Sequence, residues 1–193
     1  MKSDIIVSNL KKQFGQKLVL DQFNAVFPSG KTTCIMGPSG CGKTTLLHLL
    51  LGLEKPDAGN IEGLHDLKLA AVFQEDRLCE EFDAITNVKI AVSEQITIAR
   101  IQEHFRLLEL SDYENKPVST LSGGMRRRVA IARAMLAESD LVIMDEPLHG
   151  LDEKLKEKVL SYLKSAVIGK TTIMVTHNGD EARFLADKIL EIK

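Results

Sequence analysis

Short runs of apolar and β-branched residues alternate with helical patterns along most of the chain. These runs lie at positions 32–36, 69–73, 141–144, 172–175 and 188–192. Runs of about five residues, separated by helical stretches, are typical of strands buried on both faces of a mostly parallel sheet. The pattern therefore predicts an α/β fold in which helices cover both faces of the sheet.

Four stretches have apolar residues in patterns that are typical of α-helices. Residues 44–53 are rich enough in leucine to form a buried helix, and residues 125–137 form a second predicted helix. Residues 98–110 and 153–164 carry apolar residues on one helical face beside charged neighbours. That arrangement is typical of helices that cover a core.

The chain is predicted to form one domain that spans residues 1–193. Residues 76–125 contain amphipathic helical patterns but no strong buried strand. We interpret this segment as a small helical subdomain that ends in a glycine pair and is inserted into the sheet domain. The flanking segments, 1–75 and 126–193, form the predicted catalytic α/β core. The sequence contains no internal repeat or low-complexity tract.

The composition excludes several classes of protein. With 193 residues, 44% of them hydrophobic and 27% charged, the chain is typical of a globular domain. Its formal net charge of −2 gives no broad basic field, so nucleic acid is not favoured as a partner. Three cysteines without a C-x-x-C pair argue against a disulfide framework and a zinc site, and favour a reducing compartment. No long apolar run is present, so any membrane connection is expected to run through another protein.

A phosphate-binding loop follows the first predicted strand. Residues 37–44 read GPSGCGKT and fit the pattern G-x-x-x-x-G-K-[ST]. In such a loop, backbone N–H groups cradle phosphates, the lysine reaches the β and γ phosphates, and the hydroxyl meets Mg²⁺. The position between a strand and a helix favours this interpretation over a chance glycine turn. The predicted ATP-binding residues are Gly37, Pro38, Ser39, Gly40, Cys41, Gly42, Lys43, Thr44 and Thr45.

Polar residues follow three other predicted strands. Gln74, the pair Asp145 and Glu146, and His177 each lie at or just beyond the end of one of them. In open α/β sheets, ligands bind at the carboxyl ends of the strands. We therefore expect these side chains to converge near Lys43.

The residue types suit phosphoryl transfer to water, which depends mainly on positioning and on stabilising charge. Lys43 supplies a cationic donor. Thr44 and Asp145 are the predicted Mg²⁺ ligands, because Mg²⁺ commonly keeps several waters and binds few carboxylates. Glu146 is the candidate general base. Taken alone, an acidic pair after a strand can also be a solvated loop, and the phosphate loop upstream favours the metal interpretation.

A second phosphate-binding element is predicted just before the helix over residues 125–137. A helix N-terminus with free amides and a serine hydroxyl is suited to clamp a phosphate. The residues are Leu121, Ser122, Gly123, Gly124 and Met125. This element resembles the signature sequence of ABC-type ATPases, whose members use it to cap the ATP held by a partner subunit.

The whole chain resembles the nucleotide-binding subunit of an ABC transporter, with every motif in the family's order. Residues 141–146 match the family's Walker B strand, and Asp152 closes its D-loop. The resemblance implies that His177 braces the γ-phosphate and the attacking water. It also implies that Gln74, which matches the family's Q-loop, touches the metal and the water while sensing the transport partner. Phe14 takes the place of the aromatic residue that stacks on adenine, with core packing as the alternative.

The resemblance further implies a P-loop NTPase fold of the RecA-like type. Its mostly parallel core carries an N-terminal antiparallel β part and the helical insertion. ATP and Mg²⁺ are the implied cofactors. The implied partners are an identical or paired ATPase subunit and integral membrane permease subunits that dock near Gln74 and the helical subdomain. A substrate-binding protein would take part indirectly. The location implied is cytoplasmic, peripheral on the inner face of the membrane.

Three positions depart from the commonest family pattern. Met125 ends the signature where glutamine is usual, Arg127 stands where glutamine is common, and the D-loop reads His149-Gly150 where Ser-Ala is frequent. The D-loop change bears on coupling between the two ATP sites, so turnover could differ while binding survives. The basic run 126–128 is predicted to be a solvated or salt-bridged helical face.

A narrower likeness concerns the transported molecule. Residues 72–78, the phosphate loop and Met125 are similar to importer subunits of the nitrate, sulfonate and taurine group, which implies import of a small organic or inorganic anion. Because sixteen residues follow His177, we expect no added regulatory domain. A lipoprotein-releasing or export system, a non-transport ABC protein and a P-loop small-molecule kinase are the alternatives.

Overall fold

The computed structural model describes residues 3–192, which form two sheets and six α-helices. The strands are β1 (Ile5–Phe14), β2 (Lys17–Phe27), β3 (Thr32–Met36), β4 (Ala58–Glu62), β5 (Leu69–Val72), β6 (Leu141–Asp145), β7 (Thr171–Val175) and β8 (Lys188–Glu191). The helices are α1 (Lys43–Leu50), α2 (Ala84–Lys89), α3 (Ile98–Leu107), α4 (Gly123–Leu136), α5 (Glu153–Ala166) and α6 (Gly179–Leu185). A 3₁₀ turn at Val118–Thr120 precedes α4.

The larger sheet has five strands in the order β5-β6-β7-β3-β8, and every neighbouring pair is parallel. The smaller sheet has the order β2-β1-β4 and is antiparallel. This arrangement confirms the predicted α/β P-loop NTPase fold with an antiparallel β part near the N-terminus. β3 occupies the predicted positions, whereas the leucine-rich helix ends at Leu50 rather than at residue 53, because Gly52 adopts a left-handed φ of 69°.

The parallel strands are buried on both faces, which explains why they read as continuous apolar runs. Alternate residues enter two separate cores. Ile143 and Ile173 pack in a core with leucines of α1 and apolar residues of β1 and β2. Val142 and Met174 face the opposite side, where they pack in a core with α4, α5 and α6. The sheet therefore holds its strand ends between two packed layers.

The helices of the segment 76–125 share the second core. Phe105 of α3 has 0% of its surface exposed and belongs to the same apolar cluster as Val142 and Met144 of β6. Both α2 and α3 contact α4. The helical segment is thus packed onto one face of the sheet, and its treatment as a subdomain with bounds at 76 and 125 stays a proposal. No helix within residues 3–192 is both long and apolar enough to cross a membrane.

The basic run at the start of α4 differs from the solvated face predicted for it. Arg127 and Arg128 are buried, with 5% and 6% of their surfaces exposed. Arg128 donates to the carbonyl oxygens of Leu108 and Glu109 beyond the end of α3. Arg126 follows the prediction of a salt-bridged face with its salt bridge to Glu80, and the buried Arg127 also lies 3.3 Å from Asp76. Arginine suits such burial because its planar fork can satisfy several backbone carbonyls at once.

Candidate active site

The phosphate loop lies between β3 and α1, where a buried strand meets a helix N-terminus. Lys43 is the first residue of α1, and its Nζ donates to the carbonyl oxygens of Gly37 and Pro38, both at 2.8 Å. Gly42 caps the helix with a φ of 97° and offers no side-chain acceptor to the helix amides. At Gly37 a Cβ would lie 2.3 Å from the carbonyl oxygen of Ile192. The loop thus needs its glycines and presents backbone donors that suit an anion.

Asp145 ends β6 directly beside the loop. The hydroxyl of Thr44 donates to its Oδ2 at 2.8 Å, and only 6% of the Asp145 surface is exposed. Burial raises the pKa of Asp145 above its usual 3.8. The Thr44 hydrogen bond lowers that pKa, and the neighbouring charge of Glu146 raises it. The carboxylate therefore lies in surroundings that favour a cation next to it.

Thr44 and Asp145 fit a magnesium ion. They present a hydroxyl and a carboxylate oxygen side by side, and hard oxygen donors of this kind are the ligands that Mg²⁺ prefers. Within residues 3–192, no group of three or more His, Cys, Asp or Glu could hold a metal. The predicted metal contact of Gln74 stays a prediction.

Asp145→Asn is expected to raise the melting temperature of the protein without nucleotide at pH 7. A carboxyl group whose folded pKa lies above 3.8 stabilises the fold fully below that pH and loses this contribution as pH rises through the folded pKa. At pH 7 the buried charge is a cost that asparagine removes, with a gain of about 2–4 °C for each kcal/mol regained. Thermal unfolding with and without Mg-ATP measures both this gain and the loss of Mg²⁺-dependent stabilisation.

Glu146→Gln is the matched control for this measurement. It removes a neighbouring carboxylate whose side chain is more accessible, with 23% of its surface exposed. Its effect on the melting temperature without nucleotide should therefore be smaller. A melting temperature for Asp145→Asn below that of the native protein would contradict the prediction.

Glu146 turns away from Asp145 through a left-handed backbone. Its φ is 46°, a conformation that is uncommon outside glycine and clusters at functional sites. Its N–H donates to the carbonyl oxygen of Val175 at 3.0 Å, which ties the turn to the end of β7. The carboxylate Oε1 lies 3.3 Å from Nδ1 of His177. The carboxylate and the imidazole predicted to act together are thus adjacent.

A second imidazole stands near the same carboxylate. Nδ1 of His149 lies 3.9 Å from Oε2 of Glu146, and the His149 N–H closes the turn onto the Glu146 carbonyl oxygen. In the sequence, His149 is distinguished only as a departure in the D-loop, and its proximity to Glu146 was not predicted. The spacing of three residues is the signal that could have indicated it, since it fits a turn that brings both side chains together.

A cavity of 430 Å³ lies beside these residues at the carboxyl edge of the parallel sheet, and neither Asp145 nor His177 lines it. Its lining comprises Phe14, Lys17, Val19, Ser39, Gly40, Gly42, Lys43, Thr44, Thr45, Gln74, Glu146 and Val175. Predicted residues of the phosphate loop, Gln74 and Glu146 are thus brought to one space. Lys17, at the start of β2, was not predicted to line this cavity. A larger groove of 670 Å³ between α3 and α5 contains none of the predicted site residues.

Phe14 lies at the rim of this cavity and is 45% exposed. The alternative of core packing is therefore wrong for this residue. The ammonium group of Lys12 lies 4.9 Å from the centre of the ring. An exposed aromatic ring beside a phosphate loop is free to receive a base, and adenine stacking stays a prediction.

The signature residues lie elsewhere. None of the residues 121–125 lines the cavity formed by the described chain. The Ser122 hydroxyl accepts from the Met125 N–H at 3.3 Å and caps α4. A Cβ on Gly124 would lie 3.3 Å from the Leu151 side chain. The signature thus packs beside the D-loop, where Asp152 caps α5 by accepting from the Leu155 N–H.

The fold and this cavity define a P-loop nucleotide-binding protein. Residues 20–149 match the ABC transporter family, and the chain belongs to that family. It is 34% identical to the sulfate/thiosulfate import ATP-binding protein CysA of Neisseria meningitidis serogroup B, over 96% of this chain and 58% of that protein. It is 36% identical to a probable sulfate/thiosulfate import ATP-binding protein of Chlorella vulgaris, over 96% and 86% of the two chains. The chain thus spans 58% of the length of the Neisseria relative.

Solved structures agree with this assignment. A dimeric structure of MJ0796, a bacterial ABC transporter cassette, superposes with a TM-score of 0.86 at 31% identity, over 98% of this chain and 94% of the cassette. A post-hydrolysis state of the same cassette, bound to ADP and phosphate, gives the same TM-score. The predicted membership in the ABC family is confirmed. The curated relatives are named for sulfate/thiosulfate import, so they do not support the predicted likeness to the nitrate, sulfonate and taurine group.

Proposed function

We propose that the chain is the ATP-hydrolysing motor subunit of an ABC transporter. One observation carries the proposal. Residues of the phosphate loop and Glu146 line one cavity at the edge of the sheet and contact Asp145 and His177 behind it, whereas none of the residues 121–125 lines that cavity. Such a site is complete only when a second signature faces it. This supports a composite ATP site between two subunits.

The reaction follows from the chemistry of the cavity. Lys43 exchanges its bonds to the Gly37 and Pro38 carbonyls for the β and γ phosphates. Thr44 and Asp145 would hold Mg²⁺, which would supply positive charge to the phosphate groups. The oxygen of a water molecule attacks the γ-phosphorus, and the bond between that phosphorus and the oxygen bridging the β and γ phosphates breaks. Glu146 accepts a proton from the attacking water. The products are ADP and inorganic phosphate.

Two further residues orient this step. The imidazole of His177 lies 3.3 Å from the Glu146 carboxylate and would brace the γ-phosphate and the attacking water. The strand end that carries His177 is itself fixed, because the Thr176 hydroxyl donates to the buried Glu181 at 2.5 Å and accepts from the Asn178 N–H at 3.1 Å. Gln74 borders the same cavity, which supports a contact of its side chain with the water or the metal.

Assembly is the second part of the proposal. Two copies, or this chain and a paired ATPase subunit, associate head to tail with two ATP molecules between them. The phosphate loop of each copy faces the signature of the other. Because ATP would contact both halves, it favours the closed dimer, and hydrolysis removes that bridge. Permease subunits dock near Gln74 and the helical segment, which places the chain on the cytoplasmic face of the membrane.

The transported molecule is proposed to be a small anion that enters the cell, with a substrate-binding protein upstream. The names of the two relatives above, which specify sulfate/thiosulfate import, support this choice. A spermidine/putrescine import ATP-binding protein of Spiroplasma citri is 33% identical over 98% of this chain, so polyamine import is the second candidate. Export or lipoprotein release stays an alternative that the permease partner would identify.

Light scattering on Glu146→Gln protein tests the composite site. Loss of the base should trap ATP at the closed interface, so the protein is expected to be monomeric alone and with Mg-ADP, and dimeric with Mg-ATP. The exposed Glu94→Gln variant should show no stable trapped dimer, because it still hydrolyses ATP. A monomer that binds ATP tightly in every condition would contradict pairing of identical copies. A kinase of the P-loop class would also fail to dimerise on ATP.

A further inference from the structure

Arg127 joins the signature helix to the residue at the start of the Q-loop. It lies in the first turns of α4, and its two terminal nitrogens donate to the backbone carbonyl oxygens of Phe73 and Gln74. The side chain is buried and lies over fifty residues from these acceptors along the chain. The contact is therefore made by the tertiary structure and spans two motifs.

The loop after β5 is held from α4 at several successive residues. Arg133, farther along the helix, donates to the carbonyl oxygens of Asp76 at 3.2 Å and Arg77 at 2.9 Å. The guanidinium of Arg77 in turn stacks 3.8 Å from the centre of the Phe73 ring. The segment 73–77 is thus fixed to α4 by arginine forks and not by packing alone.

The hydrogen bonds from Arg127 to backbone carbonyl oxygens hold the loop after β5 to α4 more than its ion pair does. Arg127 Nη1 lies 3.3 Å from Asp76 Oδ1, yet that buried oxygen makes no hydrogen bond. Burial raises the pKa of Asp76, and the charges of Arg127, Arg126 and Arg133 oppose that rise. The N–H groups of Arg127 are directed at the two carbonyls. A bidentate fork of this kind fixes direction as well as distance.

We infer that Arg127 is a positioning residue that couples the signature of the chain to its own Gln74. The inference rests on the proposed function. In the head-to-tail dimer, the signature of one copy grips the ATP of the partner, whereas Gln74 serves the ATP of its own copy. A movement of α4 toward one γ-phosphate is thus transmitted to the Q-loop at the other site. Arg127 links the two ATP sites of the dimer within one chain.

The residue type matters for this link. Position 127 is one where glutamine is common in the family. Glutamine is shorter, uncharged, and carries one donor nitrogen, so it cannot form the same fork to two successive carbonyls. Lysine keeps the charge but donates from a single point. The chain therefore carries a stronger attachment at this position than the commoner residue would form.

Cooperativity between the two sites tests the inference. The proteins are full-length native chain, Arg127→Gln, Arg127→Lys and Arg126→Gln. Arg126 is the matched control, because it is adjacent on α4 and its partner is the exposed Glu80. Steady-state ATPase rates against ATP concentration give the Hill coefficient, which cannot exceed 2 for two sites. Binding of a fluorescent ATP analogue at low protein concentration gives the affinity of the monomer. Thermal unfolding confirms that each variant is folded.

The expected result separates coupling from binding. Arg127→Gln and Arg127→Lys should lower the Hill coefficient toward 1 while the monomer binds nucleotide as tightly as the native protein. In the Glu146→Gln background, Arg127→Gln should raise the ATP concentration for half-maximal dimerisation by about fivefold or more. Arg126→Gln should change neither quantity. Glutamine is the common residue at position 127, so this variant is expected to fold.

Two results would overturn the inference. One is an unchanged Hill coefficient and dimerisation midpoint in folded Arg127→Gln protein. The other is full native cooperativity in Arg127→Lys, which would show that the charge suffices without the fork. If the native chain and Glu146→Gln show no ATP-dependent dimer at all, the proposed function fails first. The two failures are therefore distinguishable.

Discussion

Glu146→Gln is expected to lower the rate of ATP hydrolysis by about 10²- to 10⁴-fold, the usual contribution of a general base. Glutamine preserves the shape of the side chain but cannot accept the proton of the attacking water. The left-handed turn at Glu146 is fixed by the Val175 carbonyl and does not depend on the carboxylate. Binding of ATP should survive, since Lys43 and the loop amides are unchanged. Phosphate release in single-turnover assays measures the rate, and a binding titration measures affinity.

Glu94→Gln serves as the control for this prediction. Its carboxylate is exposed in the loop before α3 and lies outside the cavity. Its rate should equal that of the native chain. A rate for Glu146→Gln within a factor of about ten of the native value would place the base elsewhere, since removal of a general base costs at least about 10².

Phe105→Ala is expected to destabilise the whole domain by about 3–5 kcal/mol, the usual cost of removing a buried phenyl ring from a core. The ring is fully buried on α3. It belongs to the same apolar cluster as the Val142 and Met144 side chains of the central sheet. Because the helical segment and the sheet share this core, unfolding by urea should remain a single transition with a lowered midpoint.

Ile98→Ala provides the matched control, because Ile98 starts the same helix with 46% of its surface exposed. Beyond the difference in helix propensity, Ile98→Ala should change the free energy of unfolding by no more than about 0.5 kcal/mol. Two separate transitions in Phe105→Ala, with the sheet retaining native stability, would show that residues 76–125 form an independent subdomain. Amide hydrogen exchange would locate the weakened segment.

The two predictions test different parts of the molecule. The first concerns one proton at one atom of the cavity. The second concerns the layer that holds α4, and with it the signature, against the sheet. A loss of hydrolysis in Phe105→Ala at a temperature where it remains folded would show that chemistry depends on the placement of the helical segment.

Local pattern was enough to predict much of the fold. The strand β3 and the loop that follows it were predictable, because burial on both faces demands a continuous apolar run and phosphate binding demands glycines at fixed spacing. The order of motifs also indicated the family. Element ends were less predictable. The helix after the loop ends early at a left-handed glycine, and β6 continues through Asp145, whose charge is buried against Thr44.

The basic run shows why the rest could not be predicted. Three successive arginines in one helix give the same sequence signal whether they are solvated or buried. Arg127 and Arg128 are buried because carbonyl groups from distant loops converge on them. For Phe14 the sequence left core packing open beside adenine stacking, and only the fold shows that the ring lies exposed at the cavity.

The class of fold, the phosphate loop and the residue types available for chemistry follow from the amino-acid sequence, since they depend on periodicity and spacing along the chain. Which of these residues meet depends on the folded arrangement of the strands and helices. In the fold, His149 lies near Oε2 of Glu146 and His177 lies near Oε1. The guanidinium group of Arg127 donates to the backbone carbonyl oxygen of Gln74. These contacts join residues whose separation in sequence carries no local signal, because the paths of the strands and helices between them set the distance.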